Sequence, residues 1–255
     1  MTELIKSTNA SYILYEELIL KKENLRREAA QFYVDYMRLF GDQLAEVFRK
    51  KIECIRKKKM IAFCQRCVNQ GKTINAVELY SHIDAEMAEY EAELNRMKEE
   101  AKAAQNAKII SREDVRKIRE IYYRLARKIH PDMRPETSND PKLLEYWNRI
   151  VNAYRYNCLE KLQELEVLVN AYLSDNGIDT EKSMSPDIGK MIARTEKEVD
   201  RIISTTPYTY RFLLEDDVQV NRKLEELQNE IEEYMQYSAE LDEVLKNFPV
   251  KEMYA

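Results

Sequence analysis

The residues best suited to chemistry are few, and they gather at one point of the chain. His130, one of two histidines, is followed by Pro131 and Asp132. Proline fixes its own φ, has no N–H to donate and pushes the preceding residue out of helical geometry, so a helix ending at His130 turns a rigid corner there. A histidine ring at such a corner can hold it by hydrogen bonding. Asp132 then presents an acceptor-only carboxylate, suited to a bidentate arginine on a partner. The stretch leading into the corner carries Arg112, Arg116, Lys117, Arg119, Arg124, Arg127 and Lys128 against Glu113, Asp114 and Glu120. A concentrated cationic face steers association with an acidic surface and makes it salt-sensitive. This is recognition chemistry. No grouping of His, Asp and Ser, or of Cys and His, suggests a nucleophile, and no glycine-rich phosphate loop occurs, so no enzymatic activity is expected.

Two other groups deserve a chemical reading. Cys64-Gln65-Arg66-Cys67 has the spacing of a zinc knuckle or a redox pair, but no second pair accompanies it, and only Cys54 and His82 could assist. The pair is read as structural, and neither a metal nor a cofactor is expected. Arg49-Lys50-Lys51 and Arg56-Lys57-Lys58-Lys59, flanked by Phe48, Ile52, Ile55 and Phe63, form a second basic cluster. An RNA or anionic-membrane contact is conceivable there. A solvated helix face is preferred, because the net charge is −5 and gives no bulk reason to bind nucleic acid. No basic segment followed by an apolar run suggests a signal peptide, and no stretch of about 18 apolar residues suggests a membrane span. Four cysteines in 255 residues make no disulfide framework. A cytoplasmic location with reduced thiols is expected.

The elements that must position the corner are helices. Only four glycines and six prolines occur, charged residues reach 34%, and apolar residues recur at steps of three and four. One stripe, with Leu25, Ala29, Phe32, Tyr36 and Leu39, is expected to end at Gly41 as a C-cap. A second covers 42–68, with Leu44, Phe48, Ile52 and Ile55 inward, and breaks at Asn69-Gln70-Gly71-Lys72-Thr73. A third keeps heptad spacing through Tyr80, Ile83, Met87, Tyr90, Leu94, Met97, Ala101 and Ala104, and should pair with an earlier helix as a hairpin. Ser111 is placed to N-cap the helix that carries Ile118, Tyr122, Leu125 and Ile129. Pro131 stops that helix, and another is expected from Pro141 as far as Tyr172, with Trp147, Val151 and Tyr154 on its inner face. The 174–186 stretch reads as a linker. Two further helices follow, the first striped by Ile188, Ile192, Thr195, Val199 and Ile202 and the last by Leu224, Leu227, Ile231, Tyr234, Ser238, Leu241, Leu245 and Phe248, and both are expected to pack on the stretch after Cys158.

Around the corner, Tyr122-Tyr123-Arg124-Leu125-Ala126-Arg127-Lys128-Ile129 precedes His130-Pro131-Asp132, and Ile150-Val151-Asn152-Ala153-Tyr154 follows on the next helix. These three blocks resemble the J-domain family, in which Tyr-Arg-Lys-Leu-Ala, His-Pro-Asp and Ile-Asn-Glu-Ala-Tyr stand at compatible spacing. The resemblance covers roughly residues 111–160. It implies two antiparallel helices joined at the His-Pro-Asp loop, with a core of Ile118, Tyr122, Leu125, Ile129, Trp147, Val151 and Tyr154. It further implies docking on a DnaK-type heat-shock chaperone through His130, Pro131, Asp132, Arg116, Lys117, Arg119, Arg124, Arg127 and Lys128, with stimulation of that chaperone's ATP hydrolysis.

The chain departs from the family in several places. No Tyr-x-x-Leu-Gly first helix precedes Ser111, so 101–110 or a remote helix must supply its packing. Met133 stands where lysine is usual, and no Gly/Phe-rich linker or zinc domain follows. The expectation is an all-α protein with a helical hairpin or coiled coil over 1–107, a J-domain-like segment over 108–160 and a helical bundle or coiled-coil arm over 161–255. The arms would recruit an unknown client, and a homo-oligomer through a coiled coil is a further option. The alternative is a structural coiled-coil adaptor with a degenerate J-like hairpin. The acidic C-terminal helix, with Glu225, Glu226, Glu230, Glu232, Glu233, Glu240, Asp242 and Glu243, could complement the basic one.

Overall fold

The computed structural model describes residues 2–107, 110–178 and 188–251. The protein is all-α. Among the described residues the elements are α1 (Thr2–Asn69), α2 (Ala76–Asn106), α3 (Arg112–Ile129), α4 (Pro135–Asn139), α5 (Pro141–Arg155), α6 (Leu159–Asp175), α7 (Ile188–Ser204), α8 (Tyr210–Leu214) and α9 (Asp217–Leu245). Two short strands, β1 (Ile74–Asn75) and β2 (Val250–Lys251), pair in parallel. No described helix is long and apolar enough to cross a membrane.

The chain forms two compact units, Met1–Tyr33 with Lys108–Phe212, and Val34–Ala107 with Leu213–Ala255. The two units interleave along the sequence because α1 contributes to both.

In the second unit, α1 and α2 run in opposite senses. Gln105 donates to Asp42 near one end, and the rings of Phe63 and His82 meet near the other. Gly41 does not cap a helix, because α1 continues through it. A Cβ there would lie 2.7 Å from the Cβ of Ala101. The glycine serves close helix approach, not termination. Termination comes at Gly71, whose φ of 65° suits the left-handed cap, with Lys72 N–H bonded to the Cys67 carbonyl and Gly71 N–H to that of Val68. The apolar stripes are offset by one residue in places: Phe40 is buried while Leu39 is exposed, and Leu79 is buried while Tyr80 is exposed. The α9 stripe packs Leu227 and Ile231 against Phe40 and Val47 of α1, not on the stretch after Cys158 as expected.

In the first unit, α3 opens at Ser111, whose Oγ accepts from Asp114 N–H and donates to the Asp114 carboxylate. α3 and α5 run in opposite senses, since Tyr122 stacks on Tyr154 and His130, further along, packs on Trp147. One helix was expected from Pro141 to Tyr172, but the chain breaks between α5 and α6. Asn157 adopts φ 54°, a left-handed conformation that asparagine tolerates, and Cys158 N–H bonds back to the Ala153 carbonyl to close a Schellman cap. That break lets α6 fold back, placing Leu162, Leu165, Val169 and Leu173 in the same core as α3 and α5. Tyr15, Ile19 and Leu20 of α1 complete it. Part of the packing around α3 and α5 thus comes from a helix remote in sequence. Met133 is buried in this core, which accounts for an apolar residue at that position. The expected linker begins within the last turn of α6, and its 179–186 portion lies outside the described residues.

Candidate docking site

His130 ends α3 with φ −65° and ψ 124°, the extended geometry that a following proline imposes. Its N–H still closes the last helical bond to Ala126, and its carbonyl accepts from both Met133 N–H and Arg134 N–H. The ring turns inward against Trp147, with centroids 4.4 Å apart, and is 5% exposed. Nδ1 accepts a hydrogen bond from Asp132 N–H at 3.0 Å. The imidazole thus stitches the corner to itself, which requires an unprotonated Nδ1. Burial pushes the ring's pKa down to about 4; Asp132 opposes that shift, while Lys22 and Arg26 add to it.

The same turn directs Asp132 outward. Its side chain is 48% exposed, and Lys22 Nζ stands 3.7 Å from one carboxylate oxygen. Among the described residues this carboxylate accepts no hydrogen bond. Lys22 is nearly buried and also faces Glu198 at 3.4 Å; Arg26 bridges Glu198 and Glu23. α4 and α5 frame the far side of the corner. Asp140 caps α5 by accepting from Lys142 N–H and Leu143 N–H, and it receives the Tyr172 hydroxyl from α6.

Of the seven cationic residues on α3, six have partners within the chain, and only Arg112 has none among the described residues. Arg124 makes a two-pronged contact with Glu166, Arg127 meets Glu16 at 2.6 Å and Arg119 lies 3.7 Å from Glu28. Lys128 donates to Asn170, Lys117 pairs with Glu113 and Arg116 faces Glu120. The opposite face of α3 buries Ile118, Tyr122, Leu125 and Ile129, against which Trp147 and Tyr154 are buried and Val151 half-buried. The Tyr122 hydroxyl is buried with no hydrogen-bond partner among the described residues.

Sequence inspection missed Lys22, Glu16, Glu28 and Glu198. All reach α3 or the corner from distant parts of the chain, and no local spacing marks them. The second basic cluster is largely absorbed by structure. Lys57 bonds Ser238 and Asp242, Arg56 pairs with Asp84 and Glu91, Lys59 with Glu86, and Lys58 sits over the Tyr237 ring. Cys64 is buried in the α1–α2 core with Cys67 half-buried beside it, and all four cysteines are free. Among the described residues no group of three or more His, Cys, Asp or Glu is arranged to hold a metal ion. Searches of family models, curated proteins and solved structures return no match to the chain.

Proposed function

We propose that this chain is a J-domain co-chaperone that docks on a DnaK-type heat-shock chaperone and stimulates its ATP hydrolysis. The observation that carries the reading is the corner itself. A buried histidine, held in its neutral form, fixes a proline turn so that the Asp132 carboxylate faces solvent without a hydrogen-bond donor. Such an unsatisfied acceptor, beside a cationic helix, fits an arginine on an acidic partner surface. The helical bundle of the second unit is the client-recruiting arm in this reading, and the expected compartment is the cytoplasm.

The test is single-turnover ATP hydrolysis by the cognate DnaK-type chaperone. Wild type should accelerate it; His130→Gln and Asp132→Asn should not, while circular dichroism shows helicity retained in Asp132→Asn. Failure of the wild type to accelerate hydrolysis, or full activity in Asp132→Asn, overturns the proposal. One observation favours the second reading, a structural adaptor with a degenerate J-like hairpin: six of the seven cations of α3 already have partners within the chain. Stable recovery of other proteins without any chaperone would support it.

A further inference from the structure

We infer that α1 is a built-in competitor for the docking face, an inference that rests on the co-chaperone reading and gives that face its regulation. α1 lays acids against the cations of α3 and a cation against the acid of the corner. Glu16 engages Arg127, Glu28 engages Arg119 and Lys22 stands by Asp132. Both signs of the expected partner, its acidic surface and its arginine, are thereby reproduced within the chain.

The competition is built to be lost. Lys22 stops 3.7 Å from Asp132, outside hydrogen-bond range, so it neutralises the carboxylate without satisfying its lone pairs. An arginine fork would add two parallel hydrogen bonds that a point charge at that distance lacks. Arg127 and Arg119 keep about half their side-chain surface exposed while paired, so an incoming carboxylate can reach them before Glu16 or Glu28 leaves. α1 itself stays put during the exchange, because Tyr15, Ile19 and Leu20 anchor it in the core. Exchange then needs only rotation of long side chains. Each exposed pair should weaken docking by roughly 1.5- to 5-fold.

The test compares the affinity of an ATP-bound DnaK-type chaperone for wild type, for Glu16→Gln/Glu28→Gln, and for Glu160→Gln/Glu164→Gln. The last pair removes the same charge from two exposed α6 carboxylates that form no ion pair with α3 among the described residues. The α1 double variant should bind about 3- to 10-fold tighter than wild type, and the α6 control should stay within about twofold. Equal affinity in both variants overturns the inference while leaving the co-chaperone reading intact; no binding by any of the three overturns the reading as well. A carbodiimide probe adds independent evidence. It should join Lys22 to Asp132 in the free protein, and excess ATP-bound chaperone should suppress that crosslink. A crosslink that persists at saturating chaperone rules out the exchange.

Discussion

Around α3 and α5 the fold buries His130, Lys22, Glu23, Arg27, Thr137 and Thr195, whereas in the bundle of α1, α2 and α9 Ser238 is the only polar side chain found buried among the described residues. Buried polar groups are unfavourable unless partnered, and buried ion pairs add little net stability even when they are. The bundle follows that economy. Its ion pairs, such as Lys57 with Asp242 and Arg56 with Asp84, lie at the surface over an apolar seam. The first unit departs from it at several places, the corner and the α5–α6 break among them. Arg27 reaches Asn157 at the α5–α6 break, Lys22 reaches Asp132 and Glu198, and the imidazole of His130 holds the turn. A region that retains costly polarity where an apolar core would serve is fixing a geometry, and at the corner the geometry is that of one carboxylate.

The contrast breaks most readily with pH. The His130 ring titrates at about 4 in the folded protein, against an ordinary value near 6.5. Above pH 6.5 the ring is neutral in both states, and its contribution to stability is fully present. As pH falls below 6.5 the unfolded chain takes up the proton first, so stability drains away until about pH 4. Between about pH 7.5 and 5 the loss should reach about 2 kcal/mol. Denaturant unfolding of wild type and His130→Gln at each pH isolates it, since carboxylates common to both cancel. A stability difference that stays flat across the window would mean that the ring is solvated.

Gly41 sharpens the comparison from the bundle side. Alanine has the better helix propensity by about 1 kcal/mol, yet its Cβ would press on both Cβ and Cα of Ala101. Overpacking of this kind costs about 1–3 kcal/mol, so Gly41→Ala should lose about 1 kcal/mol net. Gly189 of α7 has nothing within 4 Å of the added atom and serves as the control; Gly189→Ala should be neutral or stabilising. The two histidines report the units separately, His82 in the bundle and His130 at the corner. In Gly41→Ala the His82 ring resonance should reach its unfolded position at lower denaturant than in wild type. A stabilised Gly41→Ala would show that the helices can part.

Much of this was legible in the residues. Heptad stripes located the helices, Ser111 and Pro141 marked their starts, and Pro131 marked the corner, because each of these signals is local and acts within one turn of chain. Gly41 misled, since a glycine that ends a helix and one that admits a neighbouring helix look alike until Ala101 is seen beside it. Asn157 gave too little warning of the α5–α6 break, because the apolar period continues in register across it. The charges that complete the corner were out of reach altogether. Lys22 and Asp132 are brought together by the packing of Tyr15, Ile19 and Leu20, and periodicity does not encode which cores merge.

The smallest expected effect tests whether the polarity of the first unit is selective. Tyr122 lies at the centre of that unit, stacked on Tyr154 with ring centroids 3.8 Å apart, and its hydroxyl has no partner among the described residues. Burial raises its pKa well above the ordinary value, chiefly by desolvation, so the group stays neutral. Removing an unsatisfied buried hydroxyl lifts a desolvation penalty and leaves the stack in place. Tyr122→Phe should therefore be neutral or stabilising by up to about 1 kcal/mol, read as an unchanged or raised denaturation midpoint. If polar burial here exists only to hold the corner, and the proposed co-chaperone activity is found for wild type, the phenylalanine variant should match it. A loss of more than about 1 kcal/mol would instead mean that the hydroxyl has a partner in solution, extending the polar network from His130 into the heart of the helix pair.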